Sequence, residues 1–293
     1  MAGSTAQGYS LVLGSGGARG LAHIGVLAVL EREGLRPSAI AGTSMGAFIG
    51  AMYAAGTPPE EMEEGVETLG LKDIAALTSL TLKPGSLMTG DRIEEQLRKL
   101  LPATFAELTL PFACVAADLV DGQPVVLAGG DLPRAIRTSL TIPALFDPVP
   151  YGDGLLVDGG VVDPLPVGVA RDLGSGPVIA VDVGQLLPAE THVDSHRGLG
   201  PLLLSGGSPN LLQVATRTLD VMSHWLARPA LDDADVVIAP DVGGYFFGDV
   251  LEGAAIVQEG VHAAELALPA VREALAEAGR SPLQRWWRRL VSA

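Results

Sequence analysis

The sequence predicts an α/β fold built on a buried, mostly parallel sheet, and three observations carry that expectation. Short apolar runs alternate along the N-terminal half with segments of helical period, the order expected of βαβ units. The runs are continuously hydrophobic, as Ser10-Leu11-Val12-Leu13 shows, which marks strands covered on both faces. Hydrophobic residues make up 48% of the 293-residue chain. That suffices for one large core and excludes a disordered chain.

The elements follow in order. The first strand, residues 10–13, ends in the Gly-rich stretch Gly14-Ser15-Gly16-Gly17-Ala18-Arg19-Gly20. An Ala/Leu/Val-rich helix follows to about Glu33 and stops at Gly34. A second strand, 38–41, turns through Gly42-Thr43-Ser44-Met45-Gly46 into a helix ending near Gly56. Further strands are expected at 112–117, 124–128, 155–157, 178–183 and 236–239, and helices at 91–101, 132–140, 210–226 and 251–268. Residues 186–209 are polar and rich in Gly, Ser and Pro, and read as a long loop. With no internal repeat and no composition break, residues 8–279 read as one domain.

The remainder, 280–293, differs in kind. From Ser281 onward it carries Arg285, Arg288 and Arg289 and no acid, while Leu283, Trp286, Trp287, Leu290 and Val291 fall on one helical stripe. A basic amphipathic helix with Trp on its apolar face suits a membrane surface. Docking on the protein's own core or on a second subunit accounts for the stripe equally well, and the oligomeric state is left open.

The net charge of −15, from 34 acidic and 19 basic residues, repels phosphate backbones and argues against nucleic acid as a partner. One cysteine, Cys114, excludes an internal disulfide and a Cys-based zinc cluster. Its apolar neighbours suggest a buried strand thiol. The N-terminal residues lack the basic and apolar stretches of a secretory signal, and no run of 18 apolar residues occurs. The expected compartment is therefore the cytoplasm, with peripheral contact at the inner membrane surface through the tail.

Gly42-x-Ser44-x-Gly46 lies between a strand and a helix, the context in which a sharp turn exposes a nucleophilic serine. The Gly14–Gly20 loop is a poor dinucleotide fingerprint, because Arg19 stands where the third glycine belongs and the next strand ends in Ala41-Gly42 without an acid. As a backbone nest at a helix N-terminus, its N–H groups at Gly16, Gly17, Ala18 and Arg19 suit an oxyanion. Both loops lie at the carboxyl ends of strands, where ligands bind in such sheets.

A serine needs a base. His23, His224 and His262 lie in expected helices and read as packing or surface residues, and His192 and His196 lie in the long loop with no third metal ligand nearby. In a Ser, Asp, His triad only those two loop histidines fit the chain order. Asp158, in Asp158-Gly159-Gly160 at the end of an apolar strand, is the better candidate, since burial raises a carboxylate's basicity. Asp153 reads as a turn residue and Asp163 as a loop or cap residue.

In this order and spacing, Gly16-Gly17-Ala18-Arg19-Gly20, Gly42-Thr43-Ser44-Met45-Gly46 and Asp158-Gly159-Gly160 resemble the patatin-like phospholipase family, and its short bacterial members in particular. Arg137-Thr138-Ser139, Ile142-Pro143 and Asp163-Pro164-Leu165-Pro166 extend the likeness, which runs from about Tyr9 to Gly279. Ser15 stands where many relatives have Gly. The resemblance implies a three-layer α/β/α sandwich and a Ser-Asp dyad without histidine. It makes Ser44 the nucleophile, Asp158 the general base, and the amides of Gly16, Gly17, Ala18 and Arg19 the oxyanion hole, supported by Gly20, Gly42, Gly46, Gly159 and Gly160. No metal and no cofactor is called for. The implied activity is lipid acyl ester hydrolysis, of a phospholipase A or lysophospholipase kind. The alternatives are a general esterase or thioesterase for small soluble acyl substrates, and a catalytically idle regulatory module of the same fold. The Arg19 side chain either orders its loop or meets a lipid phosphate.

Overall fold

The computed structural model describes residues 8–68, 80–83, 86–88, 90–185 and 211–280. The long loop with His192 and His196, and the tail with Arg285, Trp286, Trp287, Arg288 and Arg289, lie outside the described residues. The chain opens with β1 (Ser10–Leu13), a 3-10 turn (Gly17–Leu21), α1 (Ala22–Arg32), β2 (Ala39–Thr43), α2 (Met45–Ala55) and α3 (Pro59–Thr68). A separate antiparallel hairpin, β3 (Leu80–Lys83) and β4 (Ser86–Met88), precedes α4 (Asp91–Leu100). Then come β5 (Phe112–Asp118), β6 (Pro124–Leu127), α5 (Leu132–Ser139), β7 (Val149–Tyr151), β8 (Gly154–Asp158), α6 (Val167–Leu173) and β9 (Val178–Val181). The last elements are α7 (Leu211–Asp233), β10 (Val236–Ile238) and α8 (Gly253–Ala278).

The main sheet has the order β10-β9-β1-β2-β5-β8-β7, with β6 also paired to β5. From β10 to β5 every pairing is parallel. Beyond β5 the pairings turn antiparallel, so β8 runs against its neighbour β5. Side-chain alternation divides the interior in two. Leu11, Leu13, Ile40, Ile179 and Val181 pack on one face with α1, α2 and α8, while Val12, Ala41, Val178 and Ala180 face α6 and Ala227 of α7. The result is the three-layer α/β/α sandwich around a mostly parallel sheet. In the first face α1 and α8 meet backbone to backbone: a Cβ on Gly260 would lie 1.9 Å from the Ala22 carbonyl.

Several elements differ from expectation. The first helix begins in a 3-10 turn, so the Gly-rich loop tightens before α1 starts. Helices α7 and α8 run about two to three turns past their expected ends, continuing through Pro229 and Pro269. α3, β7 and α6 are additional. α3 buries only Pro59, Met62 and Val66 in an acidic decapeptide, and β7 spans three residues with a central proline, so neither carries a strong periodic signal.

Candidate active site

Strand β2 delivers Ser44 into the turn ahead of α2 with φ 56° and ψ −122°, a conformation that costs an L-residue of order 1–3 kcal/mol. The flanking glycines make the turn possible. A Cβ at Gly46 would lie 2.0 Å from the Leu13 carbonyl, and one at Gly42 would lie 2.6 Å from the Gly46 carbonyl. The helix therefore starts in direct contact with the ends of β1 and β2. A relay fixes the strained residue: Ser44 N–H donates to Ser139 Oγ at 2.9 Å, and that hydroxyl donates to the Val115 carbonyl at 2.7 Å. All three residues are buried. In the sequence Ser139 stands out only as part of the tripeptide Arg137-Thr138-Ser139; nothing in its local pattern reveals the bond to Ser44.

Asp158 ends β8 opposite Ala116 of β5, and its N–H donates to the Thr141 carbonyl at 2.8 Å. Its Oδ2 accepts the Ser44 Oγ–H at 2.5 Å, and its Oδ1 accepts the Gly160 N–H at 2.8 Å. A Cβ at Gly159 would lie 2.4 Å from the Val115 carbonyl, so the chain after the acid also lies against β5. Burial pushes the Asp158 carboxyl up from 3.8 to about 6, and the hydrogen bonds from Ser44 and Gly160 pull against that rise. The other acids differ. Asp153 sits exposed in the β7–β8 turn, and the Asp163 backbone carbonyl accepts the Thr43 hydroxyl at 2.9 Å.

The Gly-rich loop stands over this pair. Gly14 N–H is tied to the Val181 carbonyl and Ser15 N–H to the Pro164 carbonyl. The buried ring of His23 holds the Gly14 carbonyl at 2.8 Å through Nε2. Burial pushes His23 down to about 4, so the ring is neutral and Nε2 carries its one N–H. The set of four convergent amides needs correction at Ala18, whose N–H already donates to the Phe247 carbonyl at 2.7 Å. Among the described residues, no acceptor pairs with the N–H of Gly16 or Gly17.

Arg19 orders the loop. Its side chain is buried, with Nε–H donating to the Gly16 carbonyl at 3.2 Å and Nη2 bonded to Asp220 Oδ1 of α7 at 2.5 Å. Because carbonyl and N–H point oppositely across a trans peptide, this grip turns the Gly17 N–H away from the guanidinium. Gly20 completes the turn: a Cβ there would lie 2.6 Å from the Met45 side chain.

These groups converge on an open cleft, with Gly16, Gly17, Ser44, Asp158 and Gly160 on one side and Leu219, Asp220 and Ser223 of α7 on the other. Ser223 Oγ–H donates to the Gly160 carbonyl at 2.7 Å, which fastens α7 beside the acid. His224 Nδ1 lies 3.2 Å from the Gly184 carbonyl, and His262 is exposed on α8. Among the described residues, no three His, Cys, Asp or Glu side chains come together as a metal site. A serine hydrogen-bonded to a buried carboxylate, near two amides that have no acceptor among the described residues, is an arrangement that could carry out acyl transfer.

The chain is similar in sequence to known proteins to differing extents. The chain is 36% identical over 182 residues to an uncharacterized NTE family protein of Mycobacterium tuberculosis, covering 62% of this chain and 50% of that one. It is 35% identical over 187 residues to human patatin-like phospholipase domain-containing protein 6, covering 61% and 14% respectively. The chain thus spans half or less of the length of these curated relatives. Among solved structures, VipD from Legionella pneumophila overlaps 90% of the chain at a TM-score of 0.48 and 14% identity. The sequence profile of the patatin-like phospholipases matches residues 11–171, from β1 through the serine turn and Asp158 into α6. This chain belongs to the patatin-like phospholipase family.

Proposed function

We propose that the chain is a serine lipid acyl hydrolase that cleaves carboxylic ester bonds through a Ser44–Asp158 dyad and an acyl-enzyme. The observation that carries the reading is the 2.5 Å bond from Ser44 Oγ to Asp158 Oδ2, made where a strained turn presents the hydroxyl to the cleft. A carboxylate near 6 is a stronger base than an ordinary aspartate and stays largely ionised at neutral pH. Ser44 Oγ attacks the ester carbonyl carbon as Asp158 takes the hydroxyl proton. The Gly16 and Gly17 N–H groups hold the resulting oxyanion, each such donor being worth about 3 kcal/mol of barrier. Collapse expels the alcohol, which takes the proton from Asp158. Water then attacks the acyl-enzyme, giving its proton to Asp158, and the second collapse returns that proton to Ser44 Oγ and frees the acid.

The test is hydrolysis of p-nitrophenyl esters from short to long acyl chains by wild type, Ser44→Ala and Asp158→Asn. Turnover that needs both residues and favours medium or long chains supports the reading. Turnover that falls with chain length favours a small-ester enzyme. Activity that survives Asp158→Asn but disappears on substitution of His192 or His196 replaces the dyad with a triad.

A further inference from the structure

Helix α7 presents two unlike faces. Thr216, Leu219, Asp220 and Ser223 line the cleft. On the far side Val214, Val221, Met222 and Trp225 recur at helical spacing, with Val214 and Met222 each 47% and Trp225 64% exposed. A row of large apolar side chains facing water on one helix is unfavourable unless something covers it. At 100° per residue the apolar surface is continuous: Leu219 on the cleft wall leads through Leu226 and Met222 round to Trp225.

Charge indicates what covers it. The chain carries −15 overall, yet from Val214 to Pro229 this helix has a single acid, Asp220, which is turned inward onto Arg19. Arg228 instead lies over the Trp225 ring, 5.7 Å from its centroid. A guanidinium on an indole at the edge of an apolar stripe fits the boundary where lipid phosphates meet acyl chains. A protein of this charge is repelled by anionic membranes, so the matching surface is zwitterionic.

We infer that the outer face of α7 seats this protein on a zwitterionic phospholipid surface, with Trp225 and Met222 inserted and the Leu219–Leu226 flank leading an acyl ester into the cleft. This inference rests on the lipid hydrolase reading for its purpose, but its test does not.

The experiment uses the full chain and vesicles of dioleoylphosphatidylcholine. In a Trp286→Phe/Trp287→Phe background Trp225 is the only tryptophan, and its fluorescence is expected to be quenched by brominated acyl chains. Met222→Asp/Trp225→Asp in the otherwise native chain is expected to lower vesicle partitioning on the order of 10-fold or more. Far-UV circular dichroism and p-nitrophenyl butyrate turnover should match wild type. Raising salt to about 0.5 M should leave neutral-vesicle binding in place, because apolar insertion rather than charge drives it. Unquenched Trp225, or equal partitioning of the two forms, overturns the inference. Partitioning lost only on Trp286→Asp/Trp287→Asp also overturns it, as does a solution dimer that the Met222→Asp/Trp225→Asp change dissolves. Ester turnover absent in wild type at every acyl length despite quenched Trp225 would instead overturn the hydrolase reading and leave the docking surface standing.

Discussion

Replacing Asp158 by asparagine should shift stability in the variant's favour progressively as pH rises toward neutrality. In the fold the Asp158 carboxyl is raised from 3.8 to about 6 because burial penalises its charged form. A group whose folded pKa is raised contributes its full stability below the unfolded value and loses it as pH rises through the folded one. The gap of about two units, at 1.36 kcal/mol per unit, is roughly 3 kcal/mol. Wild type therefore loses about 3 kcal/mol between about pH 4 and about pH 6 from this one group, while the Asp158→Asn amide has no proton to lose. Urea denaturation of both proteins across that range isolates the effect, since the other titrating groups are common to both and cancel in the difference. The amide's own packing adds an offset that does not vary with pH. The expected trace is a stability difference that climbs with pH in favour of Asp158→Asn and levels off near pH 7. A difference that is flat, or that falls with pH, would refute the claim that the fold holds a destabilised, basic carboxylate next to Ser44.

Other perturbations test the neighbouring parts. Ser44→Gly should be more stable than Ser44→Ala by about 1 kcal/mol in urea melts, because φ 56° suits glycine and strains alanine. Both variants should lack ester turnover. Asp220→Asn should lower kcat far more than it raises KM, since it releases the Arg19 grip on the Gly16 carbonyl and leaves a buried charge unpaired, a change that costs about 3–5 kcal/mol of stability. The kcat/KM of wild type should fall about tenfold per pH unit below about pH 6, as Asp158 gains a proton. A steady-state profile on a soluble ester reads this directly.

The sheet was legible because a strand covered on both faces must be apolar throughout. Runs such as Ser10–Leu13 and Val178–Val181 therefore announce themselves. The serine turn and the acid were legible for a related reason. Where a helix starts against two strand ends only glycine fits, so Gly42, Gly46 and Gly159 mark the site by what they lack. What escaped the sequence is set by partners distant along the chain. The Ala18 amide is used because Phe247, more than two hundred residues later, brings its carbonyl within 2.7 Å. The role of Arg19, left open between loop and phosphate, is decided by Asp220 on α7. Ser139 serves Ser44 only because α5 packs beside β5 and the start of α2. α3 escaped because a helix that buries only Pro59, Met62 and Val66 in an acidic decapeptide carries too few apolar residues to read as a stripe.

The most direct test of the chemistry is to treat the protein with a long-chain alkyl fluorophosphonate and map the adduct by mass spectrometry. One adduct per chain, on Ser44, absent from Ser44→Ala and slowed in Asp158→Asn, is the expected result. An unmodified Ser44 under conditions where the ester is turned over, or an adduct on any other residue, would contradict the Ser44–Asp158 dyad.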